Sequence, residues 1–411
     1  MAKCILHVLS QRPSFTGSGV SLDAVVRLAA EAGWDQHVVV GVPCDDPRPS
    51  VGGLPRECIH PLRFETGELD FPLPGMSDVM PYRSSRFSEL DERQLRAYRA
   101  AWREHVAAVV QQCRPDVIHT RHIWLLSALV KDVAPEIPVV NHCHATGLRQ
   151  MELCPHLAEE VRVGCARNER FCVLHQGHAA ALVDKLGVAS DRIHVVGAGY
   201  REEIFHARDL ADESELNIVY AGKYSNAKGL GQLLDAFETL ASRRSRIVLH
   251  VAGEGAGDEA DALRERMANM SPRVTMHGQL GQNELADLLR RCRVFALPSF
   301  YEGLPLVLVE AAACGCRIVC TDLPGVRDGL KLLCGVVIDR VPPPRLIGPD
   351  VPAVEDLPAF VDNLAATLAA ALNKPPPGDP LQATPDLLEA FTWRAVFGRM
   401  ERVWRELIES V

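Results

Sequence analysis

Short apolar runs rich in Val, Ile and Leu recur almost from end to end of this chain, separated by stretches with helical spacing or by clusters of Gly, Pro and polar residues. A continuous apolar run of this kind suits a strand covered on both faces, and strands alternating with helices suit parallel sheets with crossover helices. The first half predicts strands over 4–9, 38–42, 117–120, 139–143, 171–174 and 193–196. The second predicts them over 218–221, 247–252, 274–277, 294–297, 317–321 and 336–338. Both halves open alike: the first strand leads through Gly17-Ser18-Gly19 into a helix over 20–32, and the strand at 218–221 leads through Lys223–Lys228 into a helix over 230–242. Two such openings predict an α/β protein of two Rossmann-like, doubly wound domains, with ligands at the carboxyl ends of the strands facing a central cleft. At 411 residues the chain is also too long for one ordinary core.

The join falls near 199–214, where Gly-Ala-Gly-Tyr gives way to a charged segment, so the domains are expected at 1–200 and 201–391. Irregular segments at 342–352 and 375–378 bracket a helix over 357–372. Residues 44–85 form the least regular part, and a loop this long in a compact domain is expected to be functional, with Asp78, Tyr82, Arg83 and Arg86 as its chemistry.

Lys plus Arg total 44 against 53 Asp plus Glu, a net charge of −9, which argues against a broad nucleic-acid groove. No apolar run reaches the roughly 18–20 residues that span a bilayer, and the sequence reads as that of a cytoplasmic protein. The thirteen cysteines, Cys314, Cys316 and Cys320 included, are an odd number without paired Cys-x-x-Cys spacing and read as reduced packing residues. Arg96, Arg99 and Arg103 flank a stripe of Leu95, Tyr98, Trp102 and Val106 on a helix over 92–112. A core-facing helix with a solvated basic edge is expected there, and a peripheral membrane face is the alternative.

Glu302 and Glu310 stand with seven residues between them across Gly303-Leu304-Pro305 and the start of a helix running to Cys314. Gly303 permits close backbone approach to a ligand, and Pro305 suits a first helical turn. Helix macrodipole chemistry alone explains Glu302, but Glu310 sits among Leu306, Val307, Leu308, Val309 and Ala311, where a carboxylate needs hydrogen-bonding partners. Upstream, Lys223 follows Gly222 at a strand end and Lys228 opens the next helix, so fixed positive potential lies close to the two acids.

This set resembles the E-x7-E motif and lysine pair of the family-4 retaining glycosyltransferases of the GT-B fold, and the resemblance is strongest over 217–330. It implies a hexosyl- or N-acetylhexosaminyl-transferase using a UDP-, GDP- or ADP-linked sugar as co-substrate, without a metal or other cofactor, and a small soluble or glycan acceptor. Lys223 and Lys228 would hold the diphosphate, Glu302 the donor sugar, and Glu310 the nucleotide ribose, with Gly222, Gly253, Leu304 and Pro305 completing the donor pocket. Gly253-Glu-Gly also reads as a plain tight turn. Phe391-Thr-Trp393 matches a motif whose helix, here 392–411, packs back on the first domain.

In the first domain the resemblance places Gly17 and Gly19 in a loop reaching the donor phosphate. Asp116-Val-Ile-His119 matches a strand that ends near the donor sugar, but Arg121 stands where the family has its second histidine, with His122 one place later. His142 and His144 share one strand face, and His144 is expected to be catalytic. Residues 144–150 are expected to form a loop in which Arg149, together with Arg121, His122 and Tyr82, contacts the acceptor. A zinc site of His119, His122, His142 and His144, serving a metal-dependent hydrolase, is the competing reading; a non-catalytic sugar-nucleotide binder is another. A dinucleotide oxidoreductase would need a third glycine after Gly17 and Gly19.

Overall fold

The computed structural model describes all residues except 1, 14–15, 47–48, 78–79, 81, 208–215, 245, 332, 335–336, 349, 375–387 and 411. It separates into two compact units, residues 1–198 with 393–411, and residues 199–392.

In the first unit, β1 (Cys4–Leu9), β2 (Asp35–Val42), β3 (Ile59–Arg63), β6 (Val117–Arg121), β7 (Val139–Cys143), β8 (Arg170–Val173) and β9 (Ile193–Val195) form one parallel sheet in the order β3-β2-β1-β6-β7-β8-β9. A short ribbon of β4 (Pro74–Gly75) and β5 (Ser85–Arg86) lies outside it. The strands alternate as two-sided burial demands. Leu6, Val8, Val39, Ile118 and Val139 pack under α2 (Glu92–Cys113), α3 (Leu125–Val133) and α5 (Pro155–Cys165), whereas Leu9, Val38, Val40 and Val42 pack under α1 (Gly17–Glu31). The last helix of the chain, which begins at Trp393, lies beside α1.

The second unit repeats the plan with β10 (Leu216–Ala221), β11 (Ile247–Ala252), β12 (Val274–Gly278), β13 (Val294–Leu297), β14 (Arg317–Thr321) and β15 (Ile338–Val341), all parallel, in the order β12-β11-β10-β13-β14-β15. Helices α7 (Leu230–Ala241) and α12 (Leu357–Asn373) pack together, while α8 (Asp258–Asn269), α9 (Gln282–Leu289), α10 (Leu306–Ala313) and α11 (Pro324–Gly329) make the other crossovers.

Several expectations need correction. The segment 44–85 contains β3 and buries Val51, Phe64, Leu69, Phe71, Leu73 and Met76, so much of it is anchored structure; Asp78 lies outside the described residues. The last strand runs from Ile338 to Val341 rather than over 336–338. Residues 145–150 belong to α4 (Ala145–Leu153), with His144 as its N-cap, instead of a loop. Gly17 and Gly19 lie in the first turn of α1, where the Thr16 hydroxyl accepts a hydrogen bond from the Gly19 N–H at 3.3 Å. The basic edge of α2 is ion-paired: Arg99 grips Glu160 through two bonds of 2.8 and 2.6 Å, and Arg103 meets Asp132 at 3.2 Å. Among the described residues no helix is long and apolar enough to cross a membrane.

Candidate functional site

In an open parallel sheet, ligands bind where the strand order reverses, outside the carboxyl ends of the strands. In the second unit that point lies between β10 and β13. Here the Lys228 ammonium lies 2.7 Å from Glu302 Oε1, and the Ser299 hydroxyl donates to the same oxygen at 2.8 Å. The pair is largely enclosed, with side chains 26% and 14% exposed. Lys228 is carried there by the 3-10 turn Asn226–Lys228, which ends at Gly229; the Phe300 N–H donates to Ala227 O at 2.9 Å and ties that turn to the segment bearing Glu302. Gly229 has φ +66°, and a Cβ there would lie 2.0 Å from Pro298 O, so only glycine lets the two segments meet.

The Tyr220 hydroxyl donates to Lys223 O at 2.7 Å from a fully buried position, propping the loop on which Lys223 stands. Burial, with Glu302 nearby, pushes that phenol well above its usual range, so it remains a donor at neutral pH. The structure thus brings Lys228 and Glu302 into contact at the end of β10 that also carries Gly222 and Lys223. Pro305 is the N-cap of α10 rather than its first helical residue, with Leu304 buried beside it. Sequence reasoning missed Ser299 and Tyr220, whose roles depend on contacts that only folding creates.

Glu310 projects from the middle of α10 at a half-buried position; loss of hydration pushes its carboxyl from 4.5 up to about 7. Because the folded-state value is the raised one, the unfolded chain ionises first as pH climbs. The contribution of Glu310 to stability is complete below about pH 4.5 and lost by about pH 7. Glu310→Gln therefore removes a pH dependence between those limits and makes the ligand-free protein more stable at pH 8, by up to about 3 kcal/mol. Urea unfolding at pH 4.5 and pH 8 measures it; equal responses of variant and wild type would refute the assignment.

In the first unit the strand order reverses between β1 and β6. There Gln11 Oε1 accepts from Ser18 Oγ at 3.2 Å and lies 3.1 Å from His122 Nε2. Thr146 Oγ1 lies 3.0 Å from His122 Nδ1. Since Gln11 Oε1 can only accept, the network assigns the proton of His122 to Nε2 and makes Thr146 a donor to Nδ1. Burial, reinforced by Arg121, pushes His122 down to about 3, in keeping with a neutral ring. His122 also has φ +70°, held by its N–H on His142 O at 3.0 Å and by the Ser127 hydroxyl on its carbonyl at 2.7 Å. Gln11, Ser18 and Thr146 were not among the expected residues; a polar residue just past a strand at a switch point is the signal that could have found Gln11.

Arg121 and His122 are 1% and 2% exposed, whereas His144, Arg149 and Tyr82 keep partial exposure, so neither Arg121 nor His122 offers a ligand direct contact in this arrangement. His7, His119, Arg121 and His142 occupy one sheet face beneath Trp404. The rings stack, His119 on His142 at 5.6 Å and His142 on His144 at 4.4 Å, and among the described residues no three His, Cys, Asp or Glu side chains group as a metal site. The zinc expectation thus has no convergent geometry behind it. Among the described residues none of the three guanidinium nitrogens of Arg121 has a hydrogen-bond partner, and burial pulls Arg121 down to about 9. A buried cation without partners is costly. Arg121→Met should raise the unfolding free energy of the first unit by about 1–4 kcal/mol, read from the urea midpoint.

Comparison with known proteins bears on the same two halves. Residues 16–199 match the glycosyl transferase 4-like domain, and residues 215–342 match glycosyl transferases group 1. The D-inositol 3-phosphate glycosyltransferase 1 of Catenulispora acidiphila is 26% identical over 331 residues, covering 72% of this chain and 73% of that protein. With some other proteins of that name the chain spans little more than half of their length. Among solved structures, sucrose-phosphate synthase from Thermosynechococcus elongatus superimposes with a TM-score of 0.71 at 17% identity over all of both chains. Anabaena HepE in complex with UDP and glucose does so at 0.64 and 15% identity, over 97% of this chain and 99% of that one. With two family domains matched across its two parallel-sheet units, the chain belongs to the family-4 glycosyltransferases of the GT-B fold and is a glycosyltransferase.

Proposed function

We propose that this glycosyltransferase moves a hexosyl or N-acetylhexosaminyl group from a nucleoside diphosphate sugar to an acceptor hydroxyl, with retention of anomeric configuration and without a divalent metal. The observation that carries this reading is the enclosed Lys228–Glu302 pair at the switch point of the second unit. In the ligand-free protein each charge satisfies the other. An entering diphosphate draws the Lys228 ammonium onto its oxygens and frees Glu302 to accept from the sugar hydroxyls. Lys223 adds a second cation, and Gly303 permits close backbone approach to the ligand, whereas the missing Cβ of Gly253 faces Gly222 O and that of Gly222 faces the Tyr220 hydroxyl, so those two glycines pack the loop that carries Lys223.

When the bond from the anomeric carbon to the phosphate oxygen breaks, the electron pair leaves on the diphosphate, and positioned cations stabilise the charge that develops there. The acceptor hydroxyl forms the new bond, and its proton passes to the departing phosphate oxygen. Glu310 accepts from the ribose hydroxyls, which gives its half-buried carboxylate hydrogen-bonding partners. In the first unit, His144, Arg149 and Tyr82 are assigned to sugar and acceptor recognition, with Arg149 suited to a bidentate grip on a phosphate, while the buried His122 positions Thr146 and Gln11. Relatives named for D-inositol 3-phosphate support a phosphorylated acceptor, and HepE, solved with UDP and with UDP-glucose, supports a nucleotide sugar donor.

The test is release of nucleoside diphosphate from UDP-, GDP- and ADP-sugars, with and without inositol phosphate, in the presence of EDTA. The anomeric coupling constant of the product, read by NMR, gives the stereochemistry. An inverted product removes retention, and activity abolished by EDTA and restored by Mg²⁺ or Mn²⁺ removes metal independence. No turnover of any donor overturns the reading.

A further inference from the structure

The first unit carries a groove that none of the roles above uses. It opens at β9, the edge strand of the sheet, between α6 (Gln176–Leu186) and α13 (Trp393–Glu409). Its volume is about 900 Å³, within the range of small-molecule sites. One wall is apolar: Val183 and Val195 are 43% and 39% exposed, and Val403 lines the groove from α13. The other carries Arg399 and Arg402, one turn apart on α13.

The two guanidinium groups repel one another, and burial together with Arg402 pulls Arg399 below its usual range. Arg399 Nε donates to Val196 O at 2.8 Å, which fixes its head at the groove floor. His194, also on the floor, has its Nε2 buried without a hydrogen-bond partner among the described residues. It stands in register with Cys172, His142 and Arg121 on one sheet face. Among the described residues Glu406 is the one carboxylate in the lining, and it sits at an exposed position. Paired cations beside exposed valines suit a ligand that is anionic at one end and apolar along its body.

We propose that this groove binds a small molecule with a phosphate or carboxylate head and an apolar body, the head on Arg399 and Arg402 and the body along Val183 and Val195. The assignment is independent of the glycosyl-transfer reading. Calorimetric titration of the full chain with decyl phosphate, below its micelle concentration, is expected to give saturable one-to-one binding. Inorganic phosphate and decanol, each half of that probe, should bind at least tenfold more weakly. Arg402→Glu and Val183→Asp, both at solvent-exposed positions, should each weaken decyl phosphate binding at least tenfold, while the unfolding midpoint and the thermal shift with UDP stay at wild-type values. Absence of saturable binding, equal affinity for decanol, or unchanged affinity in both variants overturns the proposal. Sedimentation with phosphatidylglycerol vesicles, against phosphatidylcholine controls, separates the sources of the ligand. Pelleting that Arg402→Glu abolishes assigns the head to a lipid, and decyl phosphate binding without pelleting assigns it to a soluble metabolite; pelleting without saturable decyl phosphate binding counts against the site.

Discussion

Lys228→Ala is expected to lower kcat/KM for glycosyl transfer by about a hundredfold to a thousandfold, the usual cost of removing one preorganised group that stabilises developing negative charge. The expectation follows from where the ammonium sits. It is held by a 2.7 Å bond to Glu302 and by a turn that Gly229 seats against Pro298, so it is already at the switch point and has only to shift from the carboxylate to the phosphate oxygens when the diphosphate arrives. The stability cost should be small, about 1 kcal/mol, because the pair keeps some solvent access and Ser299 still donates to Glu302. Lys228→Arg retains the charge but changes its reach, and it should recover part of the rate if electrostatics dominates. Steady-state assay of diphosphate release, alongside thermal unfolding of each variant, separates catalysis from folding. A value of kcat/KM within threefold of wild type for a folded Lys228→Ala protein would remove the lysine from the mechanism.

The two sheets were legible in the sequence because their strands are buried on both faces and read as unbroken apolar runs. β3 was not, since Ile59-His-Pro-Leu-Arg63 is a polar edge strand, and Pro61 is tolerated only at such an edge. The helix α4 was hidden by Gly147, which sequence reasoning takes as a loop residue. A Cβ at Gly147 would meet Ile123 O at 2.7 Å, so the glycine marks close packing of a helix against backbone. The histidines carried a similar ambiguity. Their spacing is compatible with metal binding, and only the register of β1, β6 and β7 reveals that they lie side by side on a sheet face under Trp404. At the candidate site, Lys228 and Glu302 were legible through their motifs, 74 residues apart. The side chains that hold such pairs in place, Ser299, Tyr220 and Gln11, have no motif, because each acts through one hydrogen bond formed across the fold.

Gly253→Ala is expected to cost about 3 kcal/mol or more in the second unit, through two separate causes. The backbone at Gly253 has φ +124°, a conformation that costs a residue with a Cβ about 1–3 kcal/mol. A Cβ there would also fall 1.9 Å from Gly222 O, and relieving that overlap means moving the end of β10 away from β11. Those ends are tied by the Gly222 N–H on Ala252 O at 3.0 Å and the Gly253 N–H on Gly278 O at 2.7 Å, so the displacement reaches the loop carrying Lys223. For a unit of this size the loss corresponds to a fall of about 6–12 °C in its thermal midpoint. Gly257→Ala supplies the control, because Gly257 has φ +90° but nothing within 4 Å of the added carbon. It should show the conformational cost alone, and the difference between the two variants gives the cost of the overlap. Calorimetric scans with and without UDP complete the comparison: Gly253→Ala should lose the stabilisation that the nucleotide gives while Gly257→Ala keeps it, and equal midpoints for the two would show that the close approach of Gly253 to Gly222 has no energetic weight.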